Sequence, residues 1–206
     1  MMTASSQTFI RAADQPAVPE SDPEMLFDIP YPASLSRWKV LVKWLLVMPH
    51  LILFGLLAPV FLAVVVLAWF SILITGRFPR PLWNFELHYM RRSTNQTTYA
   101  ITLQRDEYPP FGDAPYPAEL NIAYPEALAR WKVLVKWLFM LPNLLALGVV
   151  MAISAVAVFV AFWAILITGR YPRPLFDFVT GAFRWEHRWG AYFYLMTDRY
   201  PPFRLT

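Results

Sequence analysis

Two uninterrupted apolar runs set the first limit on what this chain can fold into. Trp44–Gly76 and Trp137–Gly169 are each 33 residues long and contain no Asp, Glu, Lys or Arg. About 18 such residues in a row already mark a segment able to cross a bilayer, and core helices of soluble domains rarely reach this length. The chain is 57% hydrophobic and 16% charged, against roughly 25% charged in soluble domains. The expectation is an all-α integral membrane protein.

The runs belong to a duplication, which fixes the symmetry of the fold. RWKVLVKWL occurs at Arg37–Leu45 and, letter for letter, at Arg130–Leu138. Each copy leads through an apolar run to ITGRFPRPL (Ile74–Leu82) or ITGRYPRPL (Ile167–Leu175). A constant offset of 93 relates Tyr31 to Tyr124, Pro49 to Pro142 and Arg91 to Arg184, and then slips by one, because YPPF begins at Tyr108 and Tyr200. The expected organisation is a polar N-terminal arm (1–24), unit 1 (25–112), a linker (113–117) and unit 2 (118–206).

Each run has two possible courses. One helix of 33 residues would be about 50 Å long, against a hydrocarbon core of about 30 Å. It would also put identical basic motifs on opposite faces of the membrane, which the positive-inside rule disfavours. A hairpin turning at Gly55–Pro59, and near Gly148 in unit 2, puts every Lys and Arg on one side. The sequence therefore favours two hairpins, giving four membrane helices around a pseudo-two-fold axis along the membrane normal. Trp38, Trp44, Trp131 and Trp137 suit the interface. Lys39 and Lys43, like Lys132 and Lys136, lie four apart on one helical face, within reach of headgroup phosphates. Each exit leads to an amphipathic segment, predicted to lie in the interface or to pack under the hairpins; in unit 1 the STNQTT stretch is a poor helix former where that element is expected to break.

The paired motifs YPASLSRWKVLVKWLLVMPHLILF and YPEALARWKVLVKWLFMLPNLL, ILITGRFPRPL and ILITGRYPRPLFDF, DEYPPF and TDRYPPF resemble a bacterial membrane-protein family, DUF4389, here in tandem. The resemblance covers nearly everything after residue 25. It implies a membrane module and brings no assigned activity.

Candidate chemistry is sparse. His50 and Asn143 are the strongly polar side chains inside the apolar runs, and an ionisable group there suggests function. A structural account serves as well: Pro49 and Pro142 free the carbonyls of Leu45 and Leu138, which a nearby polar group can satisfy, and a contact between His50 and Asn143 across the two units is one form of it. The exit arginines Arg77, Arg80, Arg170 and Arg173, with the entry residues Arg37 and Arg130, are candidates for anionic lipid or a partner protein. Gly76 and Gly169 are suited to stop a helix. Cysteine is absent, and the three histidines form no metal-ligand spacing. Glu86 with His88 and Glu186 with His187 read as chance surface pairs. No nucleophile elbow, phosphate loop or dinucleotide fingerprint occurs. No catalytic, cofactor or metal site and no nucleic-acid partner is expected. Asn95-Gln-Thr97 is formally a glycosylation sequon, set aside by its expected cytoplasmic position.

The first 30 residues lack a signal-peptide core. The expected location is thus a bacterial inner membrane, multi-pass, with both termini cytoplasmic. The function read from these features is a non-enzymatic accessory or scaffolding protein that docks to a larger membrane complex or organises anionic lipid. The alternative is a small transporter or channel-like module built from parallel repeats.

Overall fold

A computed structural model describes residues 25–112 and 114–205; the proposed polar arm lies outside them. The elements in chain order are β1 (Met25–Asp28), α1 (Lys39–Leu46), α2 (Met48–Thr75), α3 (Arg80–Gln96) with a π-helical turn (Thr97–Ile101), β2 (Glu119–Ile122), α4 (Arg130–Thr168) and α5 (Arg173–Phe193).

The apolar runs do not fold back as hairpins. Gly148 sits inside the continuous α4, and Gly55 inside α2. A lone Gly costs a helix about 1 kcal/mol relative to Ala, and its neighbours Leu, Ala and Val supply none of the residues that would close a turn. Pro59 and Pro142 are also carried within helices. The one interruption is at Val47, between α1 and α2, where Pro49 falls in the first turn of the restarted helix, a position with no N–H to lose. The result is two helices long and apolar enough to cross a membrane, Lys39–Thr75 and Arg130–Thr168, in place of four.

Both long helices stop where the sequence predicts. Gly76 and Gly169 adopt φ +72° and +71°, and their N–H groups donate to the carbonyls of Ile72 and Ile165 at 2.8 Å. Pro79 and Pro172 then hold the chain extended, and the following Pro81 and Pro174 lie in the first turn of α3 and α5. A Cβ on Gly76 would stand 3.3 Å from Arg130 Nε, and one on Gly169 3.4 Å from the Leu35 carbonyl oxygen. Left-handed backbone costs an L residue roughly 1–2 kcal/mol, so Gly76→Ala or Gly169→Ala is expected to cost about that much. Thermal unfolding in lipid discs checks this; an unchanged midpoint would mean the exit turn is not held in this form.

The two long helices run antiparallel. The Gly76 carbonyl accepts from Leu128 N, and the Gly169 carbonyl from Leu35 N, both at 2.9 Å, so each helix ends where the other unit begins. Trp69 Nε1 donates to the Val133 carbonyl at 3.3 Å in the same register. The units interlock: Tyr31 donates to the Tyr171 carbonyl and Tyr124 to the Phe78 carbonyl. The register of 93 makes Phe27 the equivalent of Leu120, and these two residues face each other in the antiparallel ribbon of β1 and β2. Thr94 and His187, also equivalent, meet at 2.7 Å. A pseudo-two-fold axis therefore passes through both pairs and between Gly55 and Gly148, normal to the plane of the long helices.

Three layers stack on this axis. The long helices form the first, α3 and α5 the second, and the ribbon the third. Met25, Phe27, Leu120 and Ile122 of the ribbon point inward, while Asp28, Glu119 and Asn121 face outward. Arg91 and Arg184, equivalent residues on α3 and α5, tie the ribbon down by donating to the carbonyls of Leu120 (2.8 Å) and Phe27 (3.3 Å).

The single-residue slip in the repeat has a structural cause. Unit 1 has one residue more than unit 2 between Arg91 and Tyr108, and there α3 passes into the π turn instead of breaking. A π turn is what an α-helix forms to absorb one inserted residue. Beyond it the units realign: Leu103 and Leu195, equivalent at the shorter spacing, both have positive φ, +61° and +69°.

Candidate functional site

The predicted basic residues separate into two groups. Lys43 and Lys136 point inward, on the same 3–4 stripe as Val40, Val47 and His50 or Val133, Met140 and Asn143. Lys43 Nζ pairs with Asp106 Oδ1 at 2.8 Å and donates to the Arg105 carbonyl; Lys136 Nζ pairs with Asp198 Oδ1 at 2.9 Å and donates to the Thr197 carbonyl. Each ammonium lies over a tyrosine ring, Tyr99 or Tyr192. These lysines are not headgroup contacts. They fasten the segment that leads into YPPF onto the start of each long helix, and a buried charge needs that partner. Lys39 and Lys132, half-buried, donate to the carbonyls of Asp106 and Asp198 at 3.4 and 3.3 Å.

The arginines stay outside and gather at two corners. At one, Arg37 stands beside Gly169, next in the chain to Arg170 and near Arg173; at the other, Arg130 stands beside Gly76, with Arg77 and Arg80. Arg80 stacks 3.8 Å from the Tyr124 ring and Arg173 4.7 Å from Tyr31, across the unit boundary. Arg173 also pairs with Asp177 at 3.2 Å, where both side chains are more than half exposed. Each corner thus combines one entry arginine with two exit arginines of the other unit. Trp38, Trp44, Trp131 and Trp137 are all more than 60% exposed at the same ends of the long helices.

His50 and Asn143 are buried but do not meet. The Asn143 amide donates to the Pro201 carbonyl at 2.9 Å and accepts from Trp185 Nε1 at 3.1 Å. His50 Nδ1 lies 3.0 Å from the Tyr108 hydroxyl, and its ring stacks on Phe111 at 4.1 Å. Tyr108 donates to the Leu46 carbonyl at 3.1 Å, one residue beyond the carbonyl predicted to be freed by Pro49. The YPPF segment is therefore the lid over the polar residue of its own unit, a role the sequence reading missed and for which its recurrence in both units was the available signal.

The interior between α3 and α5 is more polar than the sequence suggests. His187 is buried rather than a surface residue: Nδ1 lies 3.0 Å from Glu186 Oε2 and 2.7 Å from the Phe183 carbonyl, and Nε2 lies 2.7 Å from Thr94 Oγ1. Thr94 donates its own proton to the Met90 carbonyl, so both imidazole nitrogens have acceptors before them and the cation satisfies every partner. Burial pushes the imidazole pKa down, but the Glu186 charge and the hydrogen bonds outweigh it and hold the pKa above its usual value. Gln104, wholly buried, donates to Thr180 and accepts from Thr102. Glu86 is fully buried with both oxygens unpartnered, and burial raises its pKa to about 9; it too is interior, not a surface partner of His88. The surface reading fails for Glu86 and His187, which face the interior, while the Glu186 side chain that pairs with His187 remains 39% exposed. A cavity of about 260 Å³ lies between Leu57 of α2 and Phe85, His88, Tyr89 and Arg92 of α3. Among the described residues no cluster of His, Asp or Glu could hold a metal ion.

A duplicated helical unit, with one helix long and apolar enough to cross a membrane and a basic exit seated on the other unit's entrance, defines this as a mostly helical tandem-repeat protein. The family described as Domain of unknown function (DUF4389) matches residues 37–112 and 130–204. The chain belongs to that family and carries its unit twice, each match running from the Arg of RWKVLVKWL to one residue past YPPF. No curated protein and no solved structure matches the chain.

Proposed function

We propose that the protein is a non-enzymatic membrane-bound accessory or scaffolding protein, which fixes a polar α3–α5–ribbon platform against a bilayer and organises anionic lipid or a membrane complex around it. One observation carries this reading. Fifteen large hydrophobic side chains are exposed from Trp38 to Ile74 and another fifteen from Trp131 to Ile167, in one layer of the fold. A patch of that extent needs a lipid or protein cover. The arginine corners at its two ends supply the charge that anionic headgroups attract, about 1 kcal/mol per residue near the surface. A transport path has less support, because His50 and Asn143 are each plugged by the YPPF lid of their own unit.

The test is extraction of the membrane fraction into lipid discs without detergent, followed by mass spectrometry of copurifying protein and lipid. The protein is expected to resist an alkaline wash and to bring down anionic lipid, a stoichiometric partner, or both. Recovery in the soluble fraction would overturn the reading. The Arg77→Ala/Arg170→Ala variant, one change at each corner, is expected to bind anionic vesicles about tenfold or more weakly at low salt. Unchanged binding would remove the corners from the account.

A further inference from the structure

We infer that the two long helices lie flat within a single leaflet of an anionic bilayer instead of crossing it, with the pseudo-two-fold axis along the membrane normal and the ribbon facing water. The inference rests on the membrane-bound reading above and adds its geometry.

Length argues first. The 39 residues of α4 and the 37 of Lys39–Thr75 correspond to about 58 and 55 Å at 1.5 Å per residue, nearly twice a hydrocarbon core of about 30 Å. Tilt alone would have to approach 60° to hide them, beyond the range of about 0–40° that membrane helices show.

The other layers argue more strongly. α3 runs back beside α2 and its π turn reaches α1, α5 runs back beside α4, and the ribbon sits at mid-length on the symmetry axis. If the long helices crossed the bilayer, that axis would lie in the midplane. Exposed Asp28, Glu119 and Asn121 would then face hydrocarbon, along with the half-buried Arg91 and Arg92. A carboxylate at that depth costs several kcal/mol and is tolerated in protein interiors or water-filled cavities, not on a lipid-facing surface. Laid flat, the same residues point away from the membrane.

Charge placement agrees. In a crossing arrangement the antiparallel helices would send Arg37, Arg170 and Arg173 to one side and Arg77, Arg80 and Arg130 to the other. Lying flat, all six reach the headgroups of one leaflet, and the positive-inside preference is met without a hairpin. The composition of the helices also follows. An in-plane helix ordinarily keeps a polar face for water, but here that face is covered by α3 or α5, so each helix is apolar all round because it is buried all round. The exposed aromatic residues Tyr108, Phe111, Tyr200 and Phe203 of the two lids stand at the flanks of this layer, where amphipathic rings favour the interface.

The chain has no cysteine, so single labels report position directly. Ser34 and Ala127, equivalent exposed residues at opposite ends of the bundle, are both replaced by Cys in one chain. Sealed membranes carrying it are treated with an impermeant maleimide and the intact mass is read. Flat insertion predicts two labels or none on every chain, whichever way the vesicles face; crossing predicts one label per chain and would overturn the inference. Val149→Cys, at mid-length on the apolar face and 62% exposed in the isolated protein, is expected to resist labelling from either side until detergent is added. Prompt labelling without detergent would also overturn it. A soluble protein would instead defeat the membrane reading itself, and fractionation reports that before any label is added.

Discussion

Replacing Glu86 with valine is expected to stabilise the protein at pH 7 by about 3 kcal/mol and to flatten its stability between pH 5 and 9. The carboxyl is fully buried without a partner, and its pKa is raised from 4.5 to about 9 by burial. In the folded protein it is therefore neutral at pH 7, whereas in the unfolded chain it is ionised. Because the folded state binds the extra proton, stability is full below the unfolded pKa of 4.5 and is lost as pH rises toward 9. At pH 7 the interval of about 2.5 units corresponds to about 3 kcal/mol at 1.36 kcal/mol per unit. Valine is the natural replacement, since Val179 occupies the equivalent position of unit 2 and is itself wholly buried. Glu86→Gln removes the titration but leaves an unpaired amide, so it should flatten the profile with a smaller gain. His187 titrates in the same direction, its folded pKa also being raised, and the difference between wild type and variant isolates Glu86. Denaturation in lipid discs at pH 5, 7 and 9 measures this. A Glu86→Val protein with the parental pH slope would show that the carboxyl is not held in a dry interior.

The second large effect belongs to the inward lysines, and it is asymmetric. Asp106→Asn is expected to cost about 3–5 kcal/mol, because it leaves the Lys43 ammonium buried without a counter-charge. The Asn side chain can still accept from Ser36 N, as Asp106 does, so the loss reports the charge. Lys43→Met is expected to cost much less: the Asp106 side chain is 17% exposed, the Lys43 side chain 0%, so the remaining carboxylate can be hydrated. The combined Lys43→Met/Asp106→Leu protein should recover most of the loss. Asp198→Asn should repeat the result in unit 2 through Lys136. Two single variants of equal and small effect would mean that water reaches Lys43.

These lysines also show how far a sequence alone carries. The entry motif looks like a basic interfacial patch, and Arg37 and Arg130 are indeed exposed, whereas Lys43 and Lys136 are buried. The spacing Val40, Lys43, Val47, His50 nevertheless falls on one helical stripe, and both units bear an Asp two residues before YPPF. Those signals were present, but the ion pair joins residues 63 apart in the chain, and no local rule ranks such a pairing above hydration. The buried His187 was hidden for a related reason. The amphipathic pattern of α5 has one apolar face, and the ribbon that covers its other side comes from residues more than 150 positions earlier.

By itself the sequence determined the duplication, the one-residue slip, the two long apolar runs and the glycine–proline stops that end them, because each is a local property of composition, periodicity or backbone conformation. Only the tertiary structure decided that each apolar run is one helix and not a hairpin, that the two run antiparallel, and that each entrance seats on the other unit's exit. A single glycine amid leucine, alanine and valine is nearly neutral between bending and continuing, at about 1 kcal/mol. What settled it were contacts that exist only once both units are in place: the Gly76–Leu128 and Gly169–Leu35 hydrogen bonds, and the α3–α5 layer that buries one face of each helix along its length.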